Sequence, residues 1–287
     1  MYRSLLFVPG DSDRKIAKAC GGEADALIFD LEDSVAPANK ERAREVTAAA
    51  LDKDFPNRKL VRVNALDTGL TEADLDALVP HAPEAVLLPK CASLADIDLV
   101  SGYLADREAA HGLEAGSIGI MPVATESARA LRNLMRSDWS HPRLAAMMWG
   151  AEDISADIGA FANREEGEYT GIFRMARDVC FLAAKEAGAL AIDTVYVNFS
   201  DPDGLAREAA MSYRAGWDGK AAIHPAQVPV INRAFTPSES QVDWARRVME
   251  ALEGGAHGVA SLDGQMLDMP HRRNAERILA AAAPRER

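Results

Sequence analysis

Two carboxylates in succession, Glu152 and Asp153, follow an apolar run from Leu144 to Trp149 and a glycine, Gly150. A continuous apolar run is how a strand reads when helices cover both faces of its sheet. In parallel α/β folds the chemistry gathers beyond the carboxyl ends of such strands. Acids there can hold a divalent cation, and they are equally what the first turn of a helix would carry. The pattern recurs along the chain. Other apolar runs empty into Pro9-Gly10-Asp11-Ser12, Asp30-Leu31-Glu32-Asp33, Asn64 just after Arg62, Pro89-Lys90, Thr125-Glu126, Asn198 and His224-Pro225. Any one of these could be a cap or a surface group; eight agreeing strand ends are harder to dismiss.

Among these groups acids outnumber bases, which fits one bound cation plus one clamp for a carboxylate. Glu126 and Asp153 come from adjacent strands, so their side chains can share a hard ion. With two protein oxygens and the remaining ligands from water and substrate, Mg²⁺ suits such a site better than Ca²⁺. Arg62 lies within an apolar strand, where an unpaired guanidinium would be costly, so it needs an anion. Its fork matches a carboxylate in a bidentate way. That anion is either a substrate group or one of Asp30, Glu32 and Asp33, and Asp33 is also placed to cap the next helix. Lys90 and Lys220 admit two readings, Schiff-base chemistry or ion pairing with the surrounding carboxylates. The chain has no Walker A loop, no GxGxxG after a strand, no HExxH and no GxSxG elbow.

The elements that must position these groups alternate regularly. Eight candidate strands are Ser4–Val8, Ala26–Leu31, Leu60–Val63, Ala85–Leu88, Ile118–Val123, Leu144–Trp149, Thr194–Val197 and Ala221–Ile223. Between them lie amphipathic helical patterns with start signals. Thr71 with Asp74, and Ser93 with Asp96, read as capping boxes; Ser238 and Gln241 open a further helix. Ile172, Met175, Val179 and Leu182 share one helical face that Gly188 can end. Eight β-then-α units predict an α/β fold, a (β/α)₈ TIM barrel, over a doubly wound sheet. The chain has 287 residues, enough for one such barrel over residues 1–253. The residues beyond that barrel exceed its needs. Residues 254–287 read as a C-terminal loop-helix appendage, with a loop through Asp263 to Pro270 and a helix from about Arg272 to Ala282.

Net charge is −12, which disfavours nucleic acid and anionic membranes as general partners. Cys20, Cys91 and Cys180 have no metal-binding or CxxC spacing, which implies neither disulfides nor zinc. The apolar stretch after Met1 stops at Pro9-Gly10, too short for a signal peptide, and no run reaches membrane-span length. A soluble, cytoplasmic protein is expected.

Taken together, Arg3-Ser-Leu-Leu-Phe-Val-Pro-Gly10, Phe29-Asp-Leu-Glu-Asp-Ser-Val35, Val61-Arg-Val-Asn64, Leu88-Pro-Lys90, Gly150-Ala-Glu-Asp153, Gly219-Lys-Ala-Ala-Ile-His-Pro225 and Gln265-Met-Leu-Asp268-Met-Pro270 resemble the citrate lyase β-subunit-like proteins. Those belong with malyl-CoA and citramalyl-CoA lyases in the HpcH/HpaI aldolase superfamily. The resemblance covers the whole chain in order and implies a Mg²⁺-dependent carbon–carbon lyase on a TIM barrel, a homotrimer or a dimer of trimers. It places the metal at Glu126 and Asp153 and the oxo-acid carboxylate at Arg62; Glu32 joins Arg62 in the expected catalytic set from the acidic run itself, as a group that can bond to Arg62 and metal-bound water. It places a CoA-type thioester along Arg14 to Lys18 and at Ile223 and His224. Asp268 falls where related lyases use an acid that reaches a neighbouring subunit's site; from spacing alone it could equally shape a turn or cap a helix. The reaction implied is reversible aldol cleavage of a malyl-, citramalyl- or citryl-CoA-like 3-hydroxyacyl thioester to acyl-CoA and an oxo acid. A metal-dependent aldolase on free oxo acids and a non-catalytic oxo-acid-binding subunit are the alternatives. The motifs do not separate CoA from an acyl-carrier thioester.

Overall fold

The structure, a computed structural model, describes residues 2–254 and 259–283. In chain order its elements are Ser4–Pro9 (β1), Asp13–Ala19 (α1), Ala26–Asp30 (β2), Lys40–Leu51 (α2), Arg58–Arg62 (β3), Thr71–Leu78 (α3), Ala85–Leu88 (β4), Leu94–His111 (α4), Gly119–Pro122 (β5), Ala128–Leu134 (α5), Ala146–Met148 (β6) and Ala151–Asp157 (α6). They continue with Arg164–Glu165 (β7), Glu168–Tyr169 (β8), Gly171–Glu186 (α7), Leu190–Asp193 (β9), Pro202–Ala215 (α8), Gly219–Ala222 (β10), Val228–Ala234 (α9), Glu239–Gly254 (α10), Ala260–Leu262 (β11), Gln265–Leu267 (β12) and Met269–Ala282 (α11).

Eight strands form one parallel sheet in the order β5-β4-β3-β2-β1-β10-β9-β6. Its two ends meet: Ile120 bridges Leu144 and Val123 bridges Met148, both in parallel. The expected (β/α)₈ barrel is therefore what the chain builds. Period-two alternation sorts the strand residues into two clusters. Leu5, Ile28, Leu60, Leu87, Met121, Met148, Ile192 and Ala221, one or more from every barrel strand, fill the interior. The intervening Leu27, Phe29, Val61, Val86 and Met147 meet helix residues such as Ile16, Leu75, Ile97 and Phe173 on the outside. The same alternation turns Asp30, two residues after Ile28, and Arg62, two after Leu60, inward at the carboxyl end. The β2–β3 register sets them side by side.

Four local expectations come out differently. The seventh barrel strand is Leu190–Asp193, not Thr194–Val197. The later segment is richer in β-branched residues, but a parallel strand is placed by its neighbours: Leu190 pairs with Ala146 and Ile192 with Gly219. Thr71 and Asp74 form no capping box; Thr71 donates to the Asn64 carbonyl, and Asp74 is taken by Arg44 and by the amide groups of Asn64. Helix α7 turns Phe173, Ala176, Cys180 and Ala184 to the barrel and leaves Ile172, Met175 and Leu182 exposed. Three small residues on the inward stripe let the helix lie close to the strands. Helix α10, which the sequence assigns to the barrel, shares a separate apolar cluster with the appendage: Ala245, Val248 and Leu252 meet Leu267 and Ala275. Gly255, at the expected boundary, and the last four residues of the expected 254–287 appendage lie outside the described residues, as does Met1.

Other signals read true. Asp96 accepts from the Ala92 and Ser93 N–H groups at the start of α4. Ser238 and Gln241 exchange reciprocal cap bonds before α10. Among the described residues no helix is long and apolar enough to cross a membrane.

Candidate active site

The mouth of the barrel is organised around Asp30. This carboxylate is buried and accepts from Arg62 Nε and Nη2, both at 2.7 Å, and from the N–H groups of Glu32 and Ser34. Burial alone would raise its pKa, but these donors outweigh it and hold the carboxyl below its usual range. Glycine at position 10 lets the neighbouring β1 turn approach, since a Cβ there would lie 2.9 Å from the Asp30 carbonyl and 2.7 Å from Thr47. Lys40 donates to the carbonyls of Leu31 and Glu32 and so fixes the acidic loop from behind.

Arg62 thus has one edge of its fork bound to Asp30, the ion pair that the sequence admitted as an alternative. The remaining Nη1 points to Glu32 Oε2 at 3.0 Å and Asp33 Oδ2 at 3.6 Å, while the guanidinium lies 5.0 Å over the Phe7 ring. Glu32 Oε2 accepts no aligned hydrogen bond, and its other oxygen pairs with Lys90. Burial lifts the Glu32 carboxyl above its usual range in spite of Arg62 and Lys90.

Lys90 has φ of +52°, a left-handed conformation that a residue with a Cβ seldom adopts. The twist aims its backbone N–H at Glu126 while its ammonium reaches Glu32. Glu126 is 7 % exposed, and burial followed by the nearby Asp153 charge pushes its carboxyl up to about 8. Gly150 is required beside it, because a Cβ would come within 2.6 Å of Glu126 Cγ. The Gly150 N–H donates to the hydroxyl of buried Thr125, linking the chain just before Asp153 to the residue just before Glu126.

A divalent cation fits this arrangement. A buried carboxylate, Glu126, with the Asp153 charge close by and no cationic side chain paired to it, is a charge pattern that a metal would complete. Among the described residues no cluster of three or more His, Cys, Asp or Glu side chains is gathered to bind a metal. Most ligands of an ion at Glu126 and Asp153 would then be water and substrate, as Mg²⁺ prefers.

The remaining expected site residues are more scattered. Arg14 and Lys18 are exposed, one turn apart on α1. Ile223 and His224 follow β10, the barrel neighbour of β1, and are also exposed; His224 stacks on Phe199 at 5.5 Å. Asp268 bonds to His271 at the start of α11. That helix is tied through Arg277 to the Trp217 carbonyl and Asp218, ahead of β10 at the barrel's amino end, away from its own mouth. Asn198 lies on an exposed loop and accepts from Ser200.

Sequence reasoning missed Asp193, the true end of the seventh strand. It is fully buried in a charged cluster: Trp149 Nε1 donates to it at 2.6 Å and Ser212 Oγ at 2.6 Å, and Arg177 pairs with it at 3.2 Å. Lys220, fully buried, bonds to the Thr194 carbonyl and to Glu208, each at 2.7 Å, and lies 3.4 Å from Asp193. Of its two sequence readings, ion pairing is the one seen, and the same holds for Lys90. The available signal was an acid closing the apolar run Leu190–Ile192, as at the other strand ends.

Fold and mouth together define a (β/α)₈ barrel whose carboxylate-rich face suits a divalent cation and an anionic ligand. The chain belongs to the HpcH/HpaI aldolase/citrate lyase family, whose model matches residues 3–225. It is 36% identical to citrate lyase subunit beta of Escherichia coli over 98% of this chain and 93% of that one. It is 34% identical to (3S)-malyl-CoA thioesterase of Cereibacter sphaeroides, over 98% and 94%. Among solved structures, protein CitE from Mycobacterium tuberculosis in complex with magnesium, acetoacetate and coenzyme A superposes with a TM-score of 0.80 at 35% identity, covering 97% of each chain.

Proposed function

We propose that this chain is a Mg²⁺-dependent carbon–carbon lyase. It reversibly cleaves a 3-hydroxyacyl-CoA thioester with a carboxylate at C-3, of the malyl-, citramalyl- or citryl-CoA kind, into acyl-CoA and an oxo acid. The observation that carries this reading is the Arg62 guanidinium held inside the barrel mouth beside the Glu126–Asp153 pair. The magnesium, acetoacetate and coenzyme A bound by the M. tuberculosis relative support it.

Glu126 and Asp153 hold the cation. When bound, Mg²⁺ supplies the positive charge that acidifies the substrate hydroxyl and polarises the carbonyl that forms from it. Arg62 receives the C-3 carboxylate, which competes with Glu32 and Asp33 for Nη1, while Asp30 keeps the fork rigid. Glu32, with one oxygen lacking an aligned donor, accepts the hydroxyl proton as the C2–C3 bond breaks. The electron pair of that bond passes to the thioester as an enolate. Asp268 of a neighbouring chain in a homotrimer or hexamer returns a proton to the enolate carbon. Arg14, Lys18, Ile223 and His224 line the thioester's path.

The test is a panel of malyl-, citramalyl- and citryl-CoA with Mg²⁺, read for released oxo acid and, separately, for free thiol. Oxo acid without thiol is the expected result. Thiol with free hydroxy acid would mean thioester hydrolysis, as the name of the C. sphaeroides relative has it, and no product would leave only ligand binding. Omitting CoA from the substrate separates an aldolase that uses free acids.

A further inference from the structure

Helix α6 carries Asp153 in its first turn, yet little of its own holds it. It spans seven residues, starts at Gly150 and has no side-chain cap. Helices this short are unstable in isolation, so contacts outside it must set its position. At its amino end, besides the Asn163 amide on exposed Glu152, two hydrogen bonds from the residues just before the helix do so. The Gly150 N–H goes to Thr125, on the Glu126 side, and Trp149 Nε1 goes to Asp193.

The second bond ends on a rigid support. Asp193 also takes Arg177 from α7, Ser212 from α8 and Lys220 from β10, and Lys220 passes the connection to Glu208 and the Thr194 carbonyl. Glu208 holds Arg164, whose guanidinium stacks 3.7 Å over Tyr169; Tyr169 in turn meets the Trp149 ring edge-on at 4.8 Å. The indole is thereby fixed at its N–H and across its ring, and its backbone is the last residue before the glycine that starts α6. Trp149, Asp193 and Lys220 alternate with the interior residues Met148, Ile192 and Ala221 and so lie on the outer side of their strands.

We infer that Asp193, acting through the Trp149 indole N–H, is a positioning residue that sets where Asp153 stands relative to Glu126. This rests on the reading that those two carboxylates hold the divalent cation. A hydrogen bond on the outside of the barrel wall would then control metal affinity on the inside.

Mn²⁺ binding to the purified, substrate-free protein, followed by electron paramagnetic resonance of the free ion, reads this without turnover. Trp149→Phe keeps the ring against Tyr169 and removes only the donor. It is expected to weaken Mn²⁺ by roughly 3- to 10-fold, somewhat less than the loss of a group bonded directly to a ligand. Asp193→Asn should weaken it in the same direction. Glu108→Gln, in a buried ion pair at the opposite end of the barrel, controls for general destabilisation: its melting temperature should fall with Mn²⁺ affinity unchanged. Glu126→Gln tests the underlying reading and should abolish binding. If Glu126→Gln abolishes binding and folded Trp149→Phe matches wild type within twofold, Asp193 has no positioning role. If Glu126→Gln also binds like wild type, the metal lies elsewhere and the inference falls with that reading.

Discussion

Arg62 is the residue on which the structure changes the emphasis. Asp30 occupies Nε and Nη2, so what remains for a substrate is chiefly Nη1, now shared between Glu32 and Asp33. Lysine at this position would lose both the bidentate grip on Asp30 and the directed Nη1 donor. Losing such a charge-assisted contact costs about 2–4 kcal/mol, or roughly 30- to 1000-fold in affinity. Arg62→Lys is therefore expected to weaken oxo-acid binding by that range in isothermal titration with Mg²⁺ present. An unchanged affinity would reduce Arg62 to a structural partner of Asp30. The type and place of this residue were legible in the sequence, since a cation in an apolar strand demands an anion. Which anion holds it was not, because the answer depends on the β2–β3 register, and no local pattern encodes that.

At the scale of elements, the two ends of the barrel do different work. At the amino end Glu108, on α4, grips Arg143, before β6, through both carboxylate oxygens at 2.7 and 2.6 Å and accepts from the N–H groups of Gly116 and Ile118. Burial would raise the Glu108 pKa, but Arg143 and the two N–H groups outweigh it and bring the carboxyl down to about 2. A folded-state value below the unfolded one means stability that is present above about pH 4.5 and lost as pH falls towards 2. Removing one partner of a buried pair costs about 3–5 kcal/mol. Arg143→Met should lose that much at pH 7 in urea unfolding, and its deficit against wild type should narrow between pH 5 and 2; a deficit that stays constant across that range would show the pair to be electrostatically idle. The sequence displayed the strands and most helices through their periodicity. It failed at Leu190–Asp193, where two adjacent apolar stretches competed and tertiary pairing chose the less β-branched one. It failed again at α7, which carries two apolar stripes; which of them meets the barrel is decided by how closely side chains allow approach.

For the whole molecule, the placement of α11 matters most. Its anchor through Arg277 lies at the amino end of its own barrel, and Asp268 opens the helix that carries that anchor. If Asp268 serves a neighbouring site, Asp268→Asn should lower turnover by about two to four orders of magnitude, the usual weight of a general acid, and leave Mg²⁺ and oxo-acid binding intact. Mixing Asp268→Asn with Arg62→Lys chains under subunit exchange should restore part of the activity, because some contacts then join an intact barrel to an intact acid. No recovery despite demonstrated exchange would place Asp268 outside the neighbour's chemistry.

Lys90 carries a cost of another kind. A side-chain-bearing residue in the left-handed region costs about 1–3 kcal/mol relative to a relaxed backbone, a substantial part of the net stability of a single domain. Glycine would remove that cost and keep the N–H that reaches Glu126, but it would take away the ammonium on Glu32. The barrel is thus less stable at Lys90 than its own backbone would allow, and folding and chemistry ask for different residues at that one position of the mouth.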